Sequence, residues 1–509
     1  MLLDLHGHDG AVFNTFYDVC VSGSGPAGMS LALKLAEKRR RVLLLEAGGL
    51  SYSEESNRVY AGSNNGLDYF SCRVGRQRFF GGTSNHWGGM CHALSAGDFE
   101  RREHVPHSGW PIRKTDLDPY FAAATDILDV KTPRVPDYLE LNGESPDLKK
   151  IDFGYSSPIT RFGKKYRRSI ESSASITCVL NANVVDIDLV ENARAVSALR
   201  VSDYKGRSFE ARGHCYVLCH GGIENARTLL NANSRLSAGI GNGRGLVGRF
   251  FMEHPTFTVA SALLNHEHPA FSRFAGASQA ELGTAFYAPT RRFQERERTL
   301  NFGLRFSPHE GIGSRPRLSS FKARLKRFIC MSDTLLPVAD RLSEKDRIGC
   351  ASDLRLKTAG EQLPNPASRI RLGEDVDRFG NRRVEVGWAL TELDKHTLKS
   401  SALAVGKIMA RKNLGRVRLA DWLLDPALSF PDTLHDEVAG NHHMGTTRMA
   451  TSAEHGVVDA NLKVFGIDNL YIGGSSTFPT SGHVNPTFTI VQLSLRLADH
   501  IDAVLHSTA

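Results

Sequence analysis

Several features that would place this 509-residue chain in a special class are missing from it. No run of 18 apolar residues occurs, so nothing predicts a membrane-spanning helix. The start, Met1-Leu-Leu-Asp-Leu-His6, has neither the basic region nor the continuous apolar core of a signal peptide. A cytoplasmic protein is the expectation, with export beside a signal-bearing partner left open. The eight cysteines show no paired spacing, and Cys215 and Cys219 fall in a strand-like run rather than a zinc ribbon, so reduced thiols and no metal site are expected. An excess of one charge is also missing. A formal charge of +8 is small for this length, and a nucleic-acid partner is not expected without a local basic cluster. What is present is length for two to four domains and 41% hydrophobic residues, enough for large cores.

The most informative stretch runs from Asp18 to Glu46. Asp18-Val-Cys-Val-Ser22 reads as a short buried strand, Gly23-Ser-Gly25-Pro-Ala-Gly28 as a glycine turn opening a helix, and Val42-Leu-Leu-Leu-Glu46 as a second strand ending in an acid. This is the dinucleotide-binding fingerprint in its strand-turn-helix context. Gly23 suits a sharp turn, Gly25 a close backbone approach to a pyrophosphate, and Gly28 tight packing of helix on strand. The helix N-terminus would then face the phosphates. Glu46, eighteen residues beyond Gly28, is placed to accept hydrogen bonds from a ribose diol, and its charge disfavours a 2′-phosphate. FAD and NAD both remain open on these residues.

Residues 51–80 read as polar and irregular and lead into Gly81-Gly-Thr-Ser-Asn-His86-Trp87-Gly-Gly89, whose glycines would let backbone press against a flat ligand. A helix is expected over 117–128 and a loop over 132–146. Residues 176–190 alternate as strands do, and Cys215–Cys219 is another buried strand, followed by Gly221-Gly222 and a helix over 223–230 that returns the chain to the first sheet. From Thr256 to about Leu419 short strand-like pieces (256–263, 301–306, 369–372, 383–388) between polar turns suit an antiparallel sheet, read as an inserted substrate domain. Between Gly313 and Ile329 stand six Lys or Arg and no acid, with Phe321, Leu325, Phe328 and Ile329 spaced for one helix face. A lid or surface helix is the first reading, and peripheral membrane or partner docking the second.

The last seventy residues carry Asn441-His442-His443-Met-Gly-Thr-Thr-Arg448-Met, then Asn469-Leu-Tyr-Ile-Gly-Gly474-Ser-Ser, and finally Gly482-His483-Val-Asn485-Pro486-Thr487-Phe. His442 and His443 are adjacent, so in an extended segment they point in opposite directions and one of them faces a given ligand. Asn485 with Pro486 and then Ile490, Leu493, Leu497 and Ile501 reads as an N-cap, a proline at N1 and the apolar stripe of a helix.

In their order these segments, with Gly23–Gly28, the Gly81 loop and Gly221-Gly-Ile-Glu-Asn225, resemble the glucose-methanol-choline (GMC) family of FAD-dependent oxidoreductases, in its sugar- and alcohol-oxidising branch near the pyranose oxidases. The resemblance implies an α/β fold: a Rossmann-like FAD-binding domain with an inserted substrate domain on an antiparallel sheet. It divides the chain into FAD-binding parts at 14–95, 171–255 and 436–509, a substrate-domain or connecting segment at 96–170, and a substrate domain at 256–435. Cofactor contacts are implied for Gly23, Gly25, Pro26, Ala27, Gly28, Glu46, Gly81, Gly82, Thr83, His86, Val184, Gly474, Asn485, Pro486 and Thr487. His86 stands where some relatives tether the flavin covalently, while many others bind FAD without a bond. The pattern His-x-x-Gly-Thr selects His442 as the general base, taking a hydroxyl proton as hydride moves to flavin N5, and Asn485 orients the same oxygen. His443 is left to packing or hydrogen bonding. The expected substrate is a sugar, glycoside, polyol or other alcohol, and the electron acceptor oxygen, a quinone or a redox partner. A lyase on the same fold and a non-catalytic flavin subunit are the alternatives.

Overall fold

A computed structural model describes residues 1–141, 145–308, 325, 328–331, 335, 352–431 and 440–507. Its first sheet is organised by the strand Phe16–Ser22. Six strands run parallel in the order Leu2–Asp4, Ile176–Leu180, Val42–Leu45, Phe16–Ser22, Ser208–Leu218 and Leu470–Ile472. The antiparallel strands Val196–Ser202 and Asn183–Leu189 extend the long Ser208–Leu218 strand to complete eight. Every side chain of Val42–Leu45 is buried, as a parallel strand covered on both faces requires. The helix Pro26–Glu37 and the C-terminal helix Thr487–Ser507 pack against each other on this sheet. Leu493, Leu497 and Ile501, read from sequence as the apolar stripe, are fully or almost fully buried.

The second sheet has six strands, all antiparallel, ordered Gly415–Leu419, Thr256–Leu264, Leu354–Gly360, Phe302–Pro308, Ala285–Pro289 and Leu148–Asp152. The 20-residue helix Glu392–Arg411 packs on it, its first turn closed by a capping box between Thr391 and Asp394. Each sheet has its own apolar core. The edge strand Leu148–Asp152 reaches this sheet from the segment before the second strands of the nucleotide fold.

Three expectations change. The strands at 369–376 and 382–387 do not join the six-stranded sheet. They form a separate three-stranded sheet in which Arg382–Gly387 also pairs in parallel with Gly62–Asn64. Residues 51–80 are therefore not wholly irregular: they hold a helical turn at Glu54–Asn57 and that short strand, whose polar Gly-Ser-Asn sequence carries no strand pattern. Cysteine is the third correction. Six cysteines are free and buried, but Cys330 is disulfide-bonded, to a partner outside the described residues. Distant cysteines can meet without a spacing motif, so their pattern along the chain was no guide.

All six basic residues of the 313–329 segment lie outside the described residues. Leu325, Phe328 and Ile329 are helical, with Leu325 and Phe328 exposed. Among the described residues no helix is long and apolar enough to cross a membrane, and no group of His, Cys, Asp or Glu could hold a metal.

Candidate active site

One cavity of about 750 Å³ runs from Glu46 and Val184 at one end to His442, His483 and Asn485 at the other. Its nucleotide end is made largely of backbone. Gly23 turns with φ +103°, and a Cβ there would lie 2.5 Å from the Cys219 carbonyl oxygen. At Gly28 a Cβ would lie 1.9 Å from the Gly23 oxygen, so the helix is seated directly on the turn. The helix begins at Pro26, and no side chain caps its Gly25 N-terminus, which leaves its first amides available to a phosphate. Glu46 is buried at the cavity wall. Its Oε2 accepts from the Ser24 amide (3.1 Å) and hydroxyl (2.5 Å), and its Oε1 from Gly48 N (2.9 Å). A carboxylate has about four acceptor sites, so room for a ribose hydroxyl remains.

The second glycine segment closes on the first. Gly81 N donates to Ser24 Oγ (3.0 Å), and a Cβ on Gly82 would be 3.0 Å from Gly25 Cα. Gly82, Thr83 and His86 line the cavity, as do Pro26, Ala27, Val184, Gly474, Pro486 and Thr487. Gly28 and Gly81 stand behind the lining and hold it in place. Trp87 is fixed by its indole N–H to Thr160 O (2.8 Å), and Arg161 donates to the Ser84 and Trp87 carbonyls. An uncapped helix N-terminus, a fixed acid and a continuous cavity between them and a histidine cluster fit a long flavin dinucleotide.

At the other end, Met252 and Met444 exchange both backbone hydrogen bonds at 3.0 Å. This bridge lays Glu253-His254 beside His442-His443. His254 Nε2 lies 3.2 Å from the Ser481 carbonyl, His254 Nδ1 lies 2.9 Å from His442 Nδ1, and His442 Nε2 lies 3.0 Å from Asn485 Nδ2. A carbonyl can only accept, so His254 donates from Nε2 and carries a lone pair on Nδ1. His442 must then donate from Nδ1, which leaves its Nε2 as the acceptor facing Asn485. The tautomer of His442 thus follows from a backbone carbonyl two links away. Burial lowers the His442 pKa well below the usual imidazole range, with His254 and His443 adding repulsion, and burial brings His254 to about 4. His442 is therefore neutral at neutral pH.

His443 turns away from this chain. Its Nε2 lies 2.9 Å from the Tyr69 hydroxyl and its ring stacks on Phe251. Tyr69 donates a short hydrogen bond to Glu253 Oε1, while Glu253 Oε2 accepts from the amides of His442 (2.9 Å) and His254 (3.2 Å). Burial pushes the Glu253 carboxyl up to about 7. Asn485 could have served only as a helix cap; its amide instead points at His442, and the helix starts at Thr487. Reading by motif missed Glu253, His254 and Tyr69. The one available signal was an acid and a histidine directly after the apolar run Phe250-Phe251-Met252 and before Pro255.

Comparison with known proteins places this arrangement. Residues 364–494 match a family model described as GMC oxidoreductase, and residues 21–94 one described as an NAD(P)-binding Rossmann-like domain. The chain is 22% identical to the fructose dehydrogenase large subunit of Gluconobacter japonicus, over 95% of this chain and 97% of that one. It is 25% identical to the 2-methyl-1,2-propanediol dehydrogenase of Mycolicibacterium austroafricanum, over 95% of each. The crystal structure of pyridoxine 4-oxidase from Mesorbium loti superposes with a TM-score of 0.58 at 17% identity, covering 95% of this chain and 99% of that one, which shows a shared fold. The chain thus carries a GMC oxidoreductase domain toward its C-terminal end and a Rossmann-like FAD-binding domain toward its N-terminal end, and is an FAD-dependent oxidoreductase.

Proposed function

We propose that the protein oxidises a hydroxyl group of a sugar, polyol or related alcohol, with His442 as the general base. The observation that carries this reading is the hydrogen-bond chain from Ser481 O through His254 to His442, which leaves a neutral imidazole lone pair at the cavity beside the Asn485 amide. Bound FAD supplies the two-electron acceptor for the hydride that leaves the carbon. An entering hydroxyl takes the place of the Asn485–His442 hydrogen bond: the Asn485 amide turns its N–H to the substrate oxygen, and the hydroxyl donates to the freed His442 Nε2. His442 takes the hydroxyl proton, while its own Nδ1–H stays directed at His254, so the ring cannot turn the wrong nitrogen to the substrate. The N-terminus of the Thr487–Ser507 helix opens beside Asn485, and its partial positive charge favours negative charge at this end of the cavity.

The names of the relatives supply the substrate class: fructose for one and a 1,2-diol for another. The test is anaerobic mixing of the holoenzyme with D-fructose, D-glucose, 2-methyl-1,2-propanediol and simple alcohols while flavin absorbance is followed. Bleaching by at least one of them is expected. A flavin that none of them, nor any wider sugar and alcohol panel, reduces overturns the reading. Reoxidation of the reduced enzyme by oxygen, a soluble quinone or neither then identifies the class of acceptor.

A further inference from the structure

The wall that carries Asn485 carries another polar side chain two residues earlier. His483 is 5% exposed and borders the same cavity. Its ring lies against Gly303, where a Cβ would stand 2.6 Å from His483 Cδ2 and 2.8 Å from a Phe286 ring carbon. A bare backbone at Gly303 is what gives the imidazole its place. His442, His254 and His443 each have a ring nitrogen in a hydrogen bond. Neither nitrogen of His483 has a partner among the described residues.

An unmade hydrogen bond at a buried polar group costs free energy, and an apolar side chain of similar shape avoids that cost. The fold therefore gains nothing from an imidazole here that leucine would not supply. A neutral imidazole offers one donor and one acceptor, the same complement a hydroxyl offers, and burial keeps His483 neutral by lowering its pKa to about 3. Two residues of chain span at most about 7 Å, so His483 stands from Asn485 at a distance comparable to the breadth of one sugar ring. It shares no hydrogen bond with His442 or Asn485, and so is separate from the pair that would hold the reacting oxygen.

Building on the hydroxyl oxidation proposed above, we propose that His483 is a substrate-binding residue that takes a second hydroxyl, on a carbon near the one oxidised, and so tunes the site to vicinal diols and sugars over monohydric alcohols. A site that hydrogen-bonds a substrate hydroxyl rejects the analogue lacking it more strongly than an apolar pocket rejects a change of size, because its own polar groups are then left unpaired. The pairing needs no charge and no movement of the base.

The test compares wild type, His483→Leu and His483→Gln as holoenzymes. The probes are D-fructose, D-glucose and 2-methyl-1,2-propanediol against 2-methyl-1-propanol and cyclohexanol, read as anaerobic flavin reduction. Binding of the same compounds to dithionite-reduced enzyme, where no turnover occurs, is measured by calorimetry. Wild type should favour the best polyhydroxylated compound over its monohydric counterpart, and His483→Leu should narrow that preference about 10- to 100-fold in both rate and affinity. His483→Gln, which keeps a donor and an acceptor, should retain more of it. His483→Leu should melt no lower than wild type. An unchanged preference in His483→Leu, a wild type with no preference, or a His483→Leu protein that unfolds or loses flavin overturns the proposal. A wild type reduced by no hydroxyl compound instead overturns the underlying reading of hydroxyl oxidation.

Discussion

The two ends of the cavity are built from different materials. The nucleotide end is mostly backbone: Gly23, Gly25, Gly28 and Gly82 bring two chain segments to within contact, and uncapped helix amides with one fixed carboxylate do the rest. The reaction end is mostly side chain, drawn from Tyr69, Glu253, His254, His442 and Asn485 and anchored on the Ser481 carbonyl, with the central His254–His442 contact spanning 188 residues of sequence. Backbone sites need small residues at short spacing, which is why they appear as local motifs. Side-chain sites need only that the fold bring the groups together, and any residue near the right strand end can serve.

The largest expected effect breaks the reaction end and spares the nucleotide end. His442→Ala removes the proposed base, and general-base catalysis is worth about 10²- to 10⁴-fold, or roughly 3–5 kcal/mol of barrier. Anaerobic stopped-flow reduction should slow by that factor while flavin content stays near wild type. Loss of flavin in this variant would show that the two ends are not separable.

Glu253 gives the next effect. Burial raises its carboxyl from 4.5 to about 7, so the folded protein holds this proton where the unfolded chain has released it. Between about pH 4.5 and 7 the unfolded state binds fewer protons, and the stability this group contributes falls as pH rises, by about 3 kcal/mol in all, levelling above pH 7. The difference in thermal stability between wild type and Glu253→Gln across this range should carry this slope, because Asp394 and the buried histidines titrate alike in both. Parallel curves would mean that Glu253 is ionised throughout.

At the nucleotide end the effect is smaller and of another kind. Gly28→Ala places a methyl 1.9 Å from the Gly23 oxygen and must push the helix off the turn. Overpacking of this sort costs about 1–3 kcal/mol, or roughly 10- to 100-fold in FAD affinity. Flavin bound after dialysis measures this, and molecules that keep their flavin should be reduced at nearly the wild-type rate. Slow reduction in fully loaded molecules would couple the ends again.

The same contrast governs what could be read before the structure. The strand-turn-helix at Asp18–Glu46 is visible because a buried parallel strand must be apolar and a turn over a phosphate needs glycine. The strands starting at Thr256, Phe302 and Arg369 were legible as short strand-like pieces between polar turns, but their division between two sheets was not, since pairing partners leave no mark in one strand's pattern. The placement of His442 beside Asn485 came from motif order, and hydrogen-bond geometry supplies its physical reason. Glu253 and His254 were invisible because a buried acid and histidine look, in sequence, like any polar pair at a strand's edge. Cys330 is the same lesson for sulfur: its partner is set by the fold.

The smallest effect sharpens the comparison within the reaction end itself. His443 is next to the base in sequence and borders the same cavity, yet its Nε2 is taken by Tyr69, its ring is stacked on Phe251, and burial brings its pKa down to about 3. It therefore braces Tyr69 and Glu253, and its hydrogen bond goes to them rather than to Asn485. His443→Ala should lose packing and one hydrogen bond and lower the melting temperature by several degrees, while flavin reduction slows less than about tenfold, well short of the general-base range. Side-by-side stopped-flow traces of His442→Ala and His443→Ala decide the matter. If His443→Ala is the slower of the two, the base is His443, and the chain from Ser481 through His254 orients a supporting ring.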